Sequence, residues 1–239
     1  SDRYHGENEA FRDAGRLLSD VRESSVVPKT VSALLDRHAH LLEREPFEAF
    51  VERLDSRHAE LLNDALVHGG ALERAMAMAE EARERIAEWP IPDAGFDALA
   101  ASLRKVYRRG RNRMTEAWEH PSGARFHEWR KRAKYLWYHL RILAPAWPAV
   151  MEPWADAQHD LTDLLGEGND LTDLLTLLDR EPDLLPHGDM AEVLRGLAEA
   201  RRRELWDMAR PLGRRLYSET PAAFVDRLGG YWDGGVSTP

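Results

Sequence analysis

Residues 126–143 read FHEWRKRAKYLWYHLRIL. Wound on a helix at about 100° per residue, His127, Arg130, Lys131, Lys134, Tyr138 and Arg141 fall on one side. Trp129, Ala133, Leu136, Trp137, Leu140 and Leu143 fall on the other, so the segment has a core face and a long cationic face. No carboxylate follows Glu128 within it. Solvated helices usually mix signs, because neighbours three and four residues apart can then pair. A row of like charges repels itself unless something anionic lies across it.

The rest of the chain gives that helix an unusual setting. The 239 residues carry a net charge of −9, with 43% hydrophobic residues. That is enough apolar material for a sizeable core in one large or two small domains. A pI of about 5.6 argues against a general nucleic-acid binder, whose footprint is a basic domain. The cationic face is therefore a local feature of an acidic protein. The absence of cysteine excludes disulfides, thiol catalysis and cysteine-type zinc sites. No apolar run reaches the roughly 18 residues of a membrane span, and SDRYHGENEAFRD lacks the basic and apolar regions of a signal peptide. The expected location is the cytoplasm.

Helical periodicity dominates and β-branched residues are few, which predicts an all-α class. A first helix is expected from Glu7 to Leu18, then an interruption through SDVRESSVVP at Pro28, with Thr30 as N-cap of the following helix and Pro46 closing it. Phe47–Val67 reads as an amphipathic helix ended by His68-Gly69-Gly70, and Ala71–Trp89 as another. WPIPDAG is the clearest linker, placing one bundle in residues 1–90 and a second in 91–239. Phe96–Trp118 carries Arg104, Arg108 and Arg111 at i, i+4 and i+7, with Tyr107 alongside. Gly166 and Gly168 predict a break or tight kink in the segment after Pro153. Met190–Tyr217 places Arg203, Arg210 and Arg214 on one face, and a short helix precedes the C-terminus. FRDAGRLLSDVRESSVV can be laid on QHDLTDLLGEGNDLTDL as a faint internal repeat, which suggests two related bundles.

The pattern H-x-x-R-K-x-x-K-x-L-x-Y-x-L-x-x-L is formed here by His127, Arg130, Lys131, Lys134, Leu136, Tyr138, Leu140 and Leu143. Together with L-G-x-x-N-D-L from Leu165 to Leu171, it resembles the CHAD family of conserved-histidine α-helical domains. Tyr107, Arg111 and the ending RRLYSETPAAFVDRLGGYW are similar to the same family's second half, and the likeness is most specific over 104–232. The resemblance implies two antiparallel helical bundles related by a pseudo-twofold, a basic central channel, and binding of inorganic polyphosphate. It further implies that His127, Arg130, Lys131, Lys134 and Arg111 line the channel, with Arg12, Arg16 and Arg22 as first-half counterparts. By the same comparison the first bundle lacks its two opening helices and part of its cationic wall.

Polyphosphate offers charge without bases, so a binder needs cation density and geometry. Arginine supplies a planar fork and lysine a mobile point charge, while tyrosines such as Tyr107 and Tyr138 donate hydroxyl hydrogen bonds. The expected anion clamps are Arg104, Arg108, Arg111, His127, Arg130, Lys131, Lys134, Arg141, Arg203, Arg210 and Arg214. The expectation is binding without catalysis, cofactor or metal, in the cytoplasm and its polyphosphate granules. One competing reading is a magnesium-dependent enzyme acting on diphosphates. It rests on the pairs Asp160/Asp163 and Asp170/Asp173, with Asp156, Asp160, Asp163, Glu167 and Asp170 sharing a face if their helix is unbroken. The other is a module for RNA or acidic protein segments, against which stands the placement of Trp129 and Trp137 on the core face.

Overall fold

The computed structural model describes residues 2–40, 42–90, 95–185 and 188–236. Among them every regular element is helical. The helices are α1 (Asp2–Leu17), α2 (Ser19–Arg37), α3 (Glu45–Asn63), α4 (Ala71–Ala87), α5 (Asp97–Glu119), α6 (Gly123–Leu143), α7 (Pro148–Arg180), α8 (Gly188–Leu216) and α9 (Pro221–Val236). The all-α class is thus the observed one. None of the described helices is long and apolar enough to cross a membrane.

The chain divides into two compact units, residues 1–91 with 174–197, and 92–173 with 198–239. The sequence placed all of 91–239 in one bundle. Residues 174–197, the end of α7 and the start of α8, group with the first unit. Of the expected linker, residues 91–94 lie outside the described residues.

In the first unit the expected interruption at Pro28 does not occur. The break falls at Leu18, and α2 continues through Pro28. Proline removes one helical donor, but Val27, Pro28, Val31, Leu34 and Leu35 are buried on one face, and that packing outweighs it. Thr30 is consequently inside the helix, its hydroxyl donating to the Val26 carbonyl at 3.0 Å rather than capping an end. Helix α1 is tied to α4 by a two-pronged grip of the Arg85 guanidinium on the Glu7 carboxylate, both contacts at 2.8 Å. Helix α3 ends in a π turn, Asp64–His68, with the Gly69 amide donating to the Asp64 carbonyl at 2.6 Å. Gly70 then takes φ +54°, a left-handed conformation that favours glycine, and α4 begins.

The second unit is built round aromatic stacks. Phe126 lies flat on Trp206 with ring centroids 3.9 Å apart, and Tyr107 on Phe224 at 4.0 Å. Trp129 is fully buried over Gly213, where an added Cβ would come within 2.6 Å of the indole. Helix α7 runs unbroken through Gly166 and Gly168, contrary to the expected kink. Each interior glycine costs roughly 1 kcal/mol relative to alanine, and here each admits a neighbour. A Cβ at Gly166 would sit 3.3 Å from the Arg130 Nε, and one at Gly168 would sit 3.0 Å from the Trp206 Nε1. Close approach of other side chains, not chain breaking, accounts for both.

Candidate anion-binding site

Helix α6 starts at Ser122, whose hydroxyl accepts from the Arg125 amide at 3.3 Å. Phe126, Trp129, Ala133, Leu136, Leu140 and Leu143 are buried. This anchoring fixes the rotation of the helix, and with it the direction of the opposite stripe. Trp137, expected in the core, is only half-buried: its ring meets His159 edge-on at 4.5 Å and lies under the Arg141 guanidinium at 5.2 Å.

Helices α6 and α7 run antiparallel in one continuous register. His127 meets Asn169, Arg130 meets Gly166, Trp137 meets His159, and Arg141 shares a cavity wall with Ala155. Each step forward on α6 is matched by an equal step back on α7. The same register sets Thr162 opposite Lys134. The α7 residues met by this side of α6 are Asn169, Gly166 and His159, with Asp173 bonded to the first and Asp163 to the last. From His127 to Arg141 this seam is about 21 Å long. At its far end Glu152 and Asp156 join Arg141, Trp137 and His159 around a cavity of about 490 Å³.

At the near end a short relay orients the histidine. The Asn169 amide nitrogen donates to the Asp173 carboxylate at 3.0 Å, which turns its oxygen toward His127. The His127 Nδ1–H then donates to that oxygen at 2.5 Å. Nε2 has no hydrogen-bond partner among the described residues. Next along the helix, the Arg130 Nε is buried without an acceptor. Lys134 sits 5.9 Å from the ring of exposed Tyr138. Among the described residues Arg130, Lys134 and Arg141 have no carboxylate partner. Lys131 does: its ammonium pairs with Glu128, which also approaches Arg132 at 3.7 Å. The Lys131 hydrogen bond holds the Glu128 carboxyl below the usual carboxylate range.

The other expected cations divide. Arg104 and Arg108 stand exposed on α5, with Arg111 half-buried, and none has a carboxylate partner among the described residues. Arg210 lies 4.7 Å over the Trp118 ring and lines a separate surface cavity with Arg214, Met114 and Glu119. Arg203 pairs with Glu199 at 3.6 Å. Tyr107 is in the core: its hydroxyl donates to the Leu216 carbonyl and accepts from the Glu219 amide, both at 3.2 Å. Burial pushes this phenol up to about 12. In the first unit Arg12 approaches Glu9 and Asp13 at 3.6 and 3.7 Å, and Arg16 pairs with Asp13 at 2.9 Å. Arg22 is exposed beside a cavity that it lines with Lys29, Ser25 and His58.

Helix α7, being unbroken, could present its acids on one face, but two of them are already engaged by different partners. Asp163 meets the His159 Nδ1 at 2.8 Å, and Glu167 is held by Arg201 at 2.7 and 3.1 Å. No group of three His, Asp or Glu among the described residues has the geometry to hold a metal ion.

One residue at this end of the unit was not in the expected set. Arg202 on α8 reaches the Thr172 hydroxyl at 3.4 Å and lies 5.0 Å over Trp206. The sequence signal for it is Trp206 four residues on, the spacing of a stacked pair on one helix face.

A family model described as CHAD domain matches residues 1–179 of the 239. The match includes the N-terminal stretch and α6, and stops short of RRLYSETPAAFVDRLGGYW. No curated protein and no solved structure matches the chain.

Proposed function

The chain belongs to the CHAD domain family, and from that premise we propose that its α6/α7 seam binds inorganic polyphosphate without chemical turnover. The family is associated in general with binding polyphosphate and triphosphate. The observation that carries the reading for this chain is the row Arg130, Lys134 and Arg141, cations without carboxylate partners in a protein of net charge −9. His127 stands at the head of that row with Nδ1 occupied and Nε2 open. Arginine forks and the lysine ammonium grip non-bridging oxygens along the polymer. His127 in its protonated form adds an Nε2–H donor. Lys131 is a secondary contributor because Glu128 competes for it, while Tyr107, its hydroxyl spent in the core, and Arg203, exposed and leaning on Glu199, are outside the binding set.

The test compares labelled polyphosphate with RNA of equal charge in competition and gel-shift assays, with and without magnesium. Polyphosphate is expected to bind more tightly, and both concentrations are expected to stay constant with time. Equal affinity for RNA would support base stacking at the half-buried Trp137 and sink the polyphosphate reading. Release of phosphate or diphosphate in magnesium would sink the non-catalytic one.

A further inference from the structure

Arg201, Arg202 and Arg203 are consecutive on α8, yet their side chains meet three different fates. Arg201 is nearly buried and fully matched, gripping Glu167 at 2.7 and 3.1 Å and Glu204 at 2.7 Å. Arg203 is exposed and leans on Glu199. Arg202 is half-buried and has no carboxylate partner among the described residues. Its one hydrogen bond is the 3.4 Å contact from Nη1 to the Thr172 hydroxyl oxygen, and its Nε is buried without an acceptor. Guanidinium offers five N–H donors, so most of its capacity is unspent. Burial lowers its pKa, with the Arg203 charge adding to that and Glu199 opposing it. A buried cation lacking its counter-charge is a net cost to the fold, which a ligand anion would offset.

The side chain is also held in place. Phe126, Trp206 and Arg202 form a three-layer stack, the indole lying flat on Phe126 and beneath the guanidinium. A stacked guanidinium directs its donors edgewise. Thr172 donates its own proton to the Gly168 carbonyl at 2.9 Å, which leaves oxygen lone pairs toward Arg202 and holds one edge. Gly123 of α6 lies tightly against Thr172. The residues that Arg202 meets through Thr172 lie close to the histidine's end of the seam: Thr172 is three residues from Asn169 on α7, and Gly123 is four from His127 on α6. Gly166, against which the Arg130 guanidinium lies, and Thr172, which Arg202 reaches, are six residues apart on α7, a rise of about 9 Å along the helix axis.

We propose that Arg202, clamped on Trp206, grips a phosphoryl group at the His127 end of the seam, adding a contact from α8 to those from α6. The proposal rests on the polyanion reading of the seam and deepens it with a residue outside the basic face read from the sequence.

The test uses the full chain as wild type, Arg202→Gln, Arg202→Lys and Arg203→Gln, with circular dichroism as the check on folding. Sodium triphosphate is titrated by calorimetry and labelled long-chain polyphosphate by anisotropy. Losing a charge-assisted contact should weaken triphosphate about 10- to 100-fold in Arg202→Gln. Arg202→Lys should fall between that and wild type, since the charge remains and the fork is lost. Arg203→Gln, with the same change of net charge, should stay within about twofold. Equal losses in Arg202→Gln and Arg203→Gln would overturn the proposal, as they would report bulk electrostatics. Should Arg202→Gln fail to fold, the Nε–H resonance of Arg202 in the wild-type protein decides: it should move with triphosphate and not with chloride at equal ionic strength, and a fixed resonance overturns the assignment. Triphosphate bound through Arg202 without affinity for the long polymer would leave this assignment standing and sink the polyphosphate reading. Tight polymer binding unchanged in Arg202→Gln would do the reverse.

Discussion

The salt dependence of polyphosphate binding follows from how many seam cations are unneutralised. Arg130, Lys134 and Arg141 carry fixed charges and have no carboxylate partner among the described residues, while Lys131 is shared with Glu128. On a single-stranded polyanion each neutralised phosphate contributes about −0.7 to the slope of log affinity against log salt, so these three together with Arg202 give a slope near −3. Raising salt from about 50 to about 200 mM should then weaken binding about 50-fold. The double variant Arg130→Gln/Lys134→Gln should flatten the slope to about −1.4, because two of the four released counterions are lost. Anisotropy titrations at four or five salt concentrations measure both slopes. A wild-type slope shallower than about −1, or a double variant that binds weakly with an unchanged slope, would refute the argument that these cations contact phosphate.

Glu128→Gln should free Lys131 and Arg132 for ligand and tighten polyphosphate about two- to fivefold, in line with the small worth of an exposed pair. The pairing that holds the Glu128 carboxyl low is present above the usual carboxylate range and is lost as pH falls through the lowered folded value. The advantage of Glu128→Gln should accordingly vanish in acid, and an advantage independent of pH would contradict the masking argument. Tyr107→Phe leaves the Leu216 carbonyl and the Glu219 amide without their partner. It should cost about 1–3 kcal/mol in chemical denaturation and leave polyphosphate affinity unchanged, and lost affinity at full stability would return Tyr107 to the binding set.

The cationic stripe was legible because a helix face is set by spacing alone, and α6 needed only its apolar residues to show which side is buried. Tyr107 was misread for a related reason. It stands four residues after Leu103 and three before Gly110, both buried, so the spacing marks a core position, but its hydroxyl drew it toward the neighbouring arginines. Gly166 and Gly168 carried a helix-breaking propensity that tertiary contact overrode, since the atoms that need their missing side chains belong to Arg130 and Trp206, 36 and 38 residues away in sequence. Pro28 follows the same logic, with a buried face holding a helix that local preference would end. Arg202 was hidden by its neighbours: within a run of three arginines, only packing distinguishes the one matched by acids from the one left without them.

If the seam binds polyphosphate as proposed, the net charge and the seam act over different distances, and that separation would supply selectivity. At physiological ionic strength the Debye length is about 8 Å, whereas along the helix axis Arg130 and Lys134 are about 6 Å apart and Lys134 and Arg141 about 10 Å. A polyanion lying in the seam therefore feels several cations at once, while acids elsewhere on the surface are largely screened from it. At long range a polyanion meets a protein with nine more acidic than basic charges, which opposes its approach. A slender chain with a charge on every unit and no bases can follow a row of closely spaced cations along its length. A nucleic acid of equal charge must also accommodate its bases against a seam whose α7 side offers Asn169, Gly166, Thr162 and Ala155, with aromatic surface confined to the Trp137 end. On the proposed reading, local cation density sets which anions bind, and the net negative charge of the chain opposes the others.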